Sequence, residues 1–227
     1  MTFHIITIFP NIFDSYFNES ILKRAQKNNL IKIKIYNLRD WTNDKHKTVD
    51  DTPYGGGAGM IMKIEPLYKA IKDIKSKIIN NKLAKQKNTK IILLSAKGKL
   101  WNQKCAQAHI GLDNIILICG RYEGIDERIK KFIDEEVSIG DYVLTGGEIG
   151  AMAIIDSISR LLPDVLGNSQ SLINESHSTP GVLEYPQYTR PEIFTIDKKS
   201  YRAPKVLLLG NHKKIAEWQQ KKMKKLK

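Results

Sequence analysis

The chain has 227 residues, an apolar fraction of 41% and a formal charge of +13, from 37 Lys and Arg against 24 Asp and Glu. That length fits one large domain or two small ones, with apolar residues enough for a core. No apolar run reaches membrane-spanning length, and two cysteines, Cys105 and Cys119, provide neither a disulfide framework nor a zinc spacing. A cytoplasmic protein with reduced thiols is the expectation, and the opening MTFHIITIFP reads as a first strand rather than a signal peptide. The positive excess favours a polyanionic partner, above all nucleic acid. Bland stretches such as KSKIINNKLAKQKNTK are equally lysine-rich, which leaves a general lysine bias open as the other reading.

Phe3 to Phe9 is an apolar run closed by Pro10 and predicts the first strand. Asn11 then opens a helical pattern with Ile12, Phe13, Tyr16, Phe17, Ile21 and Leu22 on one side. Ile31, Ile33 and Ile35 alternate with lysines, as in a half-exposed strand. Arg39 to Met62 loses periodicity and predicts a long loop, the kind that in compact domains is functional or disordered. Leu67, Ile71, Ile74 and Ile78 mark an amphipathic helix.

Ile91–Leu94 and Ile115–Ile118 are unbroken apolar runs, as buried parallel strands require. Leu100 to Ile110 predicts the crossover helix between them, Ile125 to Ile133 a short helix and Val137 to Ile139 a short strand. Gly146 to Leu162 predicts a helix rich in small and apolar residues, able to bury several faces, with Pro163 ending it. Asp164 to Pro180 has no period and reads as a linker. Tyr185 to Arg190 and Val206 to Leu209 precede a last helix from about His212. Strands alternating with helices predict an α/β fold with a parallel sheet and a smaller C-terminal module.

Two regions carry chemistry. TVDDTPYGGGAGM places Gly55, Gly56, Gly57 and Gly59 after Asp50 and Asp51. A phosphate-binding P-loop needs Gly-Lys-Ser/Thr opening a helix, and a dinucleotide fingerprint needs a strand just before it; neither is present. The loop reads either as a flexible hairpin tip or as a surface shaped around a large partner, with Arg39, His46, Asp50 and Asp51 as polar contacts. The second region is three strand ends: Leu94-Ser95-Ala96-Lys97-Gly98, Gly120 to Gly124, and Gly140 to Leu144. Side by side they form one pocket of backbone amides and carbonyls, suited to an adenine edge and a ribose. Only Arg121 and Lys97 are basic there, which favours a phosphate-free nucleoside over ATP or NAD. Arg160 reads locally as a cation at a helix C-terminus, Glu175 as a solvated carboxylate. The tail HKKIAEWQQKKMKKLK reads as a solvated face or a nucleic-acid contact.

Six segments in order together resemble the bacterial tRNA (guanine-N1)-methyltransferases, which modify guanine 37 beside the anticodon. They are Thr48 to Gly57, Cys119 to Arg128, Ile139 to Leu144 with Gly146-Gly147-Glu148, Ile155 to Arg160, Tyr188 to Pro191, and Leu209 to His212. The resemblance implies a SPOUT α/β knot: a parallel sheet with a deep C-terminal trefoil knot, plus a small, mainly helical C-terminal domain. The implied boundaries are 1–162 for the knotted domain, 163–179 for a flexible linker and 180–227 for a tRNA-binding domain. It further implies a homodimer with active sites at its interface, and a Mg2+-assisted reaction for which the sequence offers no metal site.

S-adenosylmethionine is implied in the knot. Its expected contacts are Leu94, Ser95, Gly120, Tyr122, Glu123, Gly124, Ile139, Gly140, Asp141, Tyr142, Val143, Leu144, Gly146 and Gly147. By matching positions, Glu175 is the expected base and Arg160 the expected cation, from opposite subunits. Arg39, His46, Asp50, Gly55, Gly56, Gly57 and Gly59 are the expected tRNA contacts. This chain departs from the family in Glu175 for a usual Asp, Ala96 for Pro and His177 for Phe. Its lysine tail stands where an Arg-rich pattern is usual. Two other readings fit parts of the sequence: a non-catalytic RNA-binding protein on the same scaffold, and a knotted methyltransferase acting on another RNA position.

Overall fold

In the computed structural model the described residues are 1–80, 88–168 and 173–225. The chain divides into two compact units, Met1–Gly167 and Asn168–Lys227.

The first unit runs β1 (Thr2–Thr7), α1 (Asp14–Phe17), α2 (Ser20–Lys27), β2 (Lys32–Asn37), β3 (Asp50–Asp51), β4 (Ile61–Met62) and α3 (Ile64–Ile79). It continues with β5 (Thr89–Leu100), α4 (Gln103–His109), β6 (Asn114–Cys119), β7 (Glu135–Ser138) and α5 (Glu148–Ser159). Five strands form a parallel sheet in the order β2-β1-β6-β5-β7. Successive side chains of a strand face opposite ways, and β6 shows both faces buried. Ile115, Leu117 and Cys119 join a core with Phe3, Leu94, Ala151 and Ile155. Ile116 and Ile118 join a second core with Leu67, Ile71 and Ile74 of α3. That double burial is why Asn114–Cys119 reads as an apolar run without alternation.

The expected helix after Pro10 is three pieces. A 3-10 turn (Pro10–Phe13) leads into α1, and the chain breaks before α2, where Ser20 takes φ 48°. A right-handed helix does not pass through that left-handed value. The crossover helix is shorter than expected because β5 continues to Leu100; Asn102 caps it, its side chain accepting from the Cys105 amide at 3.1 Å. Residues 125–133 form a 3-10 helix over Glu127–Phe132 rather than an α-helix. The long loop contains a 3-10 turn at Leu38–Trp41 and a small antiparallel ladder pairing Asp50 with Met62 and Asp51 with Ile61.

The second unit corrects the mainly helical expectation. It holds β8 (Val182–Leu183), β9 (Ile193–Ile196), β10 (Lys199–Arg202), α6 (Lys205–Leu208), α7 (His212–Lys222) and β11 (Lys224–Lys225). The β9–β10 hairpin turns on Asp197 and Lys198, with φ 49° and 62°. Two consecutive left-handed residues make a primed turn, usually signalled by Asn or Gly; Asp-Lys does not carry that signal. The expected linker at 163–179 includes 169–172, and the lysine tail includes 226–227; both stretches lie outside the described residues.

Candidate active site

The middle of β5 (Leu93 to Lys97), which runs on as an irregular strand where a turn was expected, the end of β6 and the segment after β7 enclose a cavity of about 300 Å3. Its walls are held by hydrogen bonds to their backbone. The Gly147 amide donates to the Gly120 carbonyl at 2.9 Å. Ser138 Oγ donates to the Gly140 carbonyl at 2.9 Å and accepts from the Gly140 amide at 3.2 Å. The Tyr142 hydroxyl donates to the Ile139 carbonyl at 3.1 Å. Gly147 is where two walls touch: a Cβ there would lie 2.8 Å from Cys119 Cα and 3.1 Å from the Gly120 amide nitrogen. Every residue expected to contact the cofactor lines this cavity except Asp141, which lies outside its lining. Of the cations around it, Lys130 pairs with Glu127 and Glu136, and Arg121 pairs with Glu148. Among the described residues Lys97 is the one further cation in the lining, so the cavity has no basic cluster to hold a phosphate chain, which suits a ligand without phosphate.

The β3–β4 hairpin docks on the same turn. The Glu123 amide donates to the Met60 carbonyl at 3.1 Å, and the Met62 amide to the Gly124 carbonyl at 2.9 Å. Tyr122 has φ 60°, and its phenol meets Asp50 and Arg39. Burial first, then the Asp50 charge, raise its pKa above the ordinary tyrosine value. A Cβ at Gly59 would lie 2.5 Å from Glu123 Cγ. Arg39, Asp50 and Gly59 are thus brought to the Gly120–Gly124 turn. His46 is exposed in the loop before β3, and Gly55, Gly56 and Gly57 are exposed between β3 and β4, with φ of 87°, 78° and 123°.

Arg160 caps the C-terminal end of α5, half-buried, its amide donating to the Asp156 carbonyl at 3.1 Å. The Tyr16 hydroxyl bonds the Asp156 carboxylate, which with burial pushes the Tyr16 pKa up to about 12. Glu175 is half-buried in the second unit; its carbonyl accepts from the Ser178 amide at 3.0 Å, and Ser176 Oγ accepts from the Glu184 amide at 3.1 Å. Among the described residues, no group of three or more His, Cys, Asp or Glu is placed to hold a metal ion.

A model of the family described as tRNA (Guanine-1)-methyltransferase TrmD matches residues 1–227. The chain belongs to this family. Similar proteins include the tRNA (guanine-N(1)-)-methyltransferase of Dictyoglomus turgidum, 52% identical over 217 residues, covering 96% of this chain and 82% of that relative. Those of Clostridioides difficile and Enterococcus faecalis are 52% and 48% identical, covering 96% and 97% of this chain and 90% and 85% of theirs.

One part of this TrmD-family site escaped the sequence reading. Glu148, at the head of α5, is 1% exposed and carries the Arg121 side chain on one oxygen and the Thr7 hydroxyl on the other. A carboxylate following Thr-Gly-Gly at the start of an apolar helix was the available signal. Its partners lie far off in sequence, so its burial was not legible.

Proposed function

We propose that this chain transfers a methyl group from S-adenosylmethionine to N1 of guanine 37 in tRNA. The observation that carries the reading is membership of the TrmD family over residues 1–227, and it is supported by a cavity lined by the residues expected to contact the cofactor, Asp141 excepted. At about 300 Å3 the cavity is at the lower end of ligand-pocket sizes, and its lack of a basic cluster fits a nucleoside without phosphate. Leu94, Ser95, the Gly120–Gly124 turn, Ile139, Gly140, Tyr142–Leu144, Gly146 and Gly147 would hold the cofactor. When bound, S-adenosylmethionine supplies a methyl group on a sulfonium that departs as a neutral thioether. No acid is needed for that departure.

The demanding step belongs to the protein. Guanine N1 carries a proton and is a poor nucleophile until it loses it. Glu175 takes that proton, and Arg160 meets the charge that builds on O6. A positioned base is worth about 10²–10⁴ in rate, roughly 3–5 kcal/mol of barrier. N1 lies on the pairing edge, so the target is an unpaired, splayed base in an RNA loop. Arg39, Asp50 and the glycine-rich hairpin form the RNA side of the site. The +13 charge suits such a partner.

The working unit is a homodimer with the site at its interface, and the first unit folds as a trefoil knot. Supporting the dimer, Phe9, Ile12, Tyr16 and Ile149 are 48%, 41%, 42% and 54% exposed. Ile12 and Tyr16 belong to the segment packed along α5. Exposed apolar residues grouped this way mark interfaces. The place of action is the cytoplasm; among the described residues no helix is long and apolar enough to cross a membrane.

The test is methyl transfer to a tRNA transcript carrying guanine 37, beside a transcript with that guanine replaced. Labelling of the first alone is the expected result. Labelling of neither, with tRNA still bound, would leave a non-catalytic RNA-binding protein.

A further inference from the structure

The proton chemistry proposed above leaves one buried ion pair unused. Arg121 Nη2 lies 3.0 Å from Glu148 Oε2, with the two side chains 16% and 1% exposed. Arg121 Nη1 donates to the Thr145 carbonyl at 3.2 Å, and the guanidinium lies 4.7 Å from the centre of the Phe9 ring. The other Glu148 oxygen, Oε1, accepts from Thr7 Oγ1 at 2.8 Å, and Thr7 Oγ1 accepts from the Phe9 amide at 3.0 Å. A buried carboxylate persists only where it is paired and hydrogen-bonded. Here Oε1 is hydrogen-bonded at the end of β1, and Oε2 is ion-paired, without a hydrogen bond, to the turn after β6.

The glycine before α5 is shaped by this arrangement. A Cβ on Gly146 would lie 2.2 Å from Arg121 Nε and 2.5 Å from Glu148 Oε2. Arg121 therefore fills the space a side chain would take, and Thr145 and Gly146 pack directly on it. Glu148 stands in the first turn of α5, where the helix dipole also favours an anion.

We propose that Glu148 is a positioning residue: from its buried place it holds Arg121, and so sets the Gly120–Gly124 turn against Thr145–Gly147, two walls of the cofactor cavity. Thr7 fixes the carboxylate from behind. The proposal rests on reading that cavity as the S-adenosylmethionine site.

The test uses the full chain with Glu148→Gln, Thr7→Val and Thr7→Ser. It reads S-adenosylmethionine affinity by calorimetry, KM for cofactor and for tRNA separately, and folding by thermal unfolding. Glu148→Gln and Thr7→Val are expected to weaken cofactor binding about tenfold or more, as small misplacements of a site do. KM for tRNA should rise less than KM for the cofactor, and Thr7→Ser, which keeps the hydroxyl, should restore cofactor affinity. Should Glu148→Gln fail to fold, the Thr7 pair decides alone. Wild-type cofactor affinity in folded Thr7→Val, or equal losses for cofactor and tRNA, would overturn the proposal while leaving the methyltransferase reading intact. A wild-type chain that binds no S-adenosylmethionine overturns the cofactor reading, and this proposal with it.

Discussion

Alanine at position 175 is expected to lower methyl-transfer turnover by about 10²–10⁴-fold, the range associated with a positioned general base. Guanine N1 is protonated at neutral pH, so without the Glu175 carboxylate the attacking lone pair is missing for nearly all of each binding event. Arg160→Ala is expected to cost about 10²–10³-fold by a different route, since the charge growing on O6 loses its preorganised counterpart. Neither change touches the cavity walls, so cofactor affinity by calorimetry should match wild type in both. That split between intact binding and lost turnover is what a chemical role predicts. Glu175→Asp shortens the side chain by one methylene but keeps the carboxylate, and should retain most activity. Turnover within about threefold of wild type in both alanine variants, far below the expected range for a base or oxyanion donor, would remove the assigned chemistry without touching family membership.

Valine at Gly147 is expected to abolish cofactor binding. The Gly147 backbone is right-handed, at φ −80°, so the obstacle is space rather than conformation. An added Cβ would lie 2.8 Å from Cys119 Cα, 2.9 Å from Leu94 Cβ and 3.1 Å from the Gly120 nitrogen. These are atoms of strand ends that cannot swing aside, so the turns must part and the Gly147–Gly120 hydrogen bond must stretch. Overpacking of this kind costs about 1–3 kcal/mol of stability, and the parted turns are the cavity walls. Gly150→Ala, a milder change at another glycine of the cavity lining, is the comparison. Its Cβ would meet Leu94 Cδ1 at 3.0 Å, the far end of a side chain free to give way, so near-normal binding is expected. Comparable binding by Gly147→Val and wild type, measured calorimetrically, would show that the strand ends do not form the cofactor site.

The cores of the fold were legible because burial on both sheet faces leaves an unbroken apolar run, as at Ile115–Ile118. The turns after β6 and β7 were legible because glycine at the end of such a run has few uses other than a sharp turn or a close approach; the expected turn at Leu94–Gly98 is instead an irregular stretch inside β5, where Gly98 packs on the Val137 backbone. Legibility failed where structure depends on partners far along the chain. Glu148 looks like a surface carboxylate until Thr7, 141 positions away, is placed against it. The β9–β10 hairpin was hidden because Asp197-Lys198 takes a turn that Asn-Gly would have announced. The break before α2 was hidden because Ser20 carries no marker of its left-handed backbone. Arg160 and Glu175 are a different case. Nothing in their local sequence distinguishes a helix-end cation or a linker carboxylate from an ordinary solvated charge, and only the resemblance singled them out.

The most direct test of the central claim is the identity of the methylated atom. After reaction with a tRNA transcript bearing guanine 37, the RNA is digested and its nucleosides are mapped by mass and fragmentation. The account predicts N1-methylguanosine at position 37 and no other modified nucleoside. A methyl group on a ribose 2′-hydroxyl, or on any other base, would contradict it.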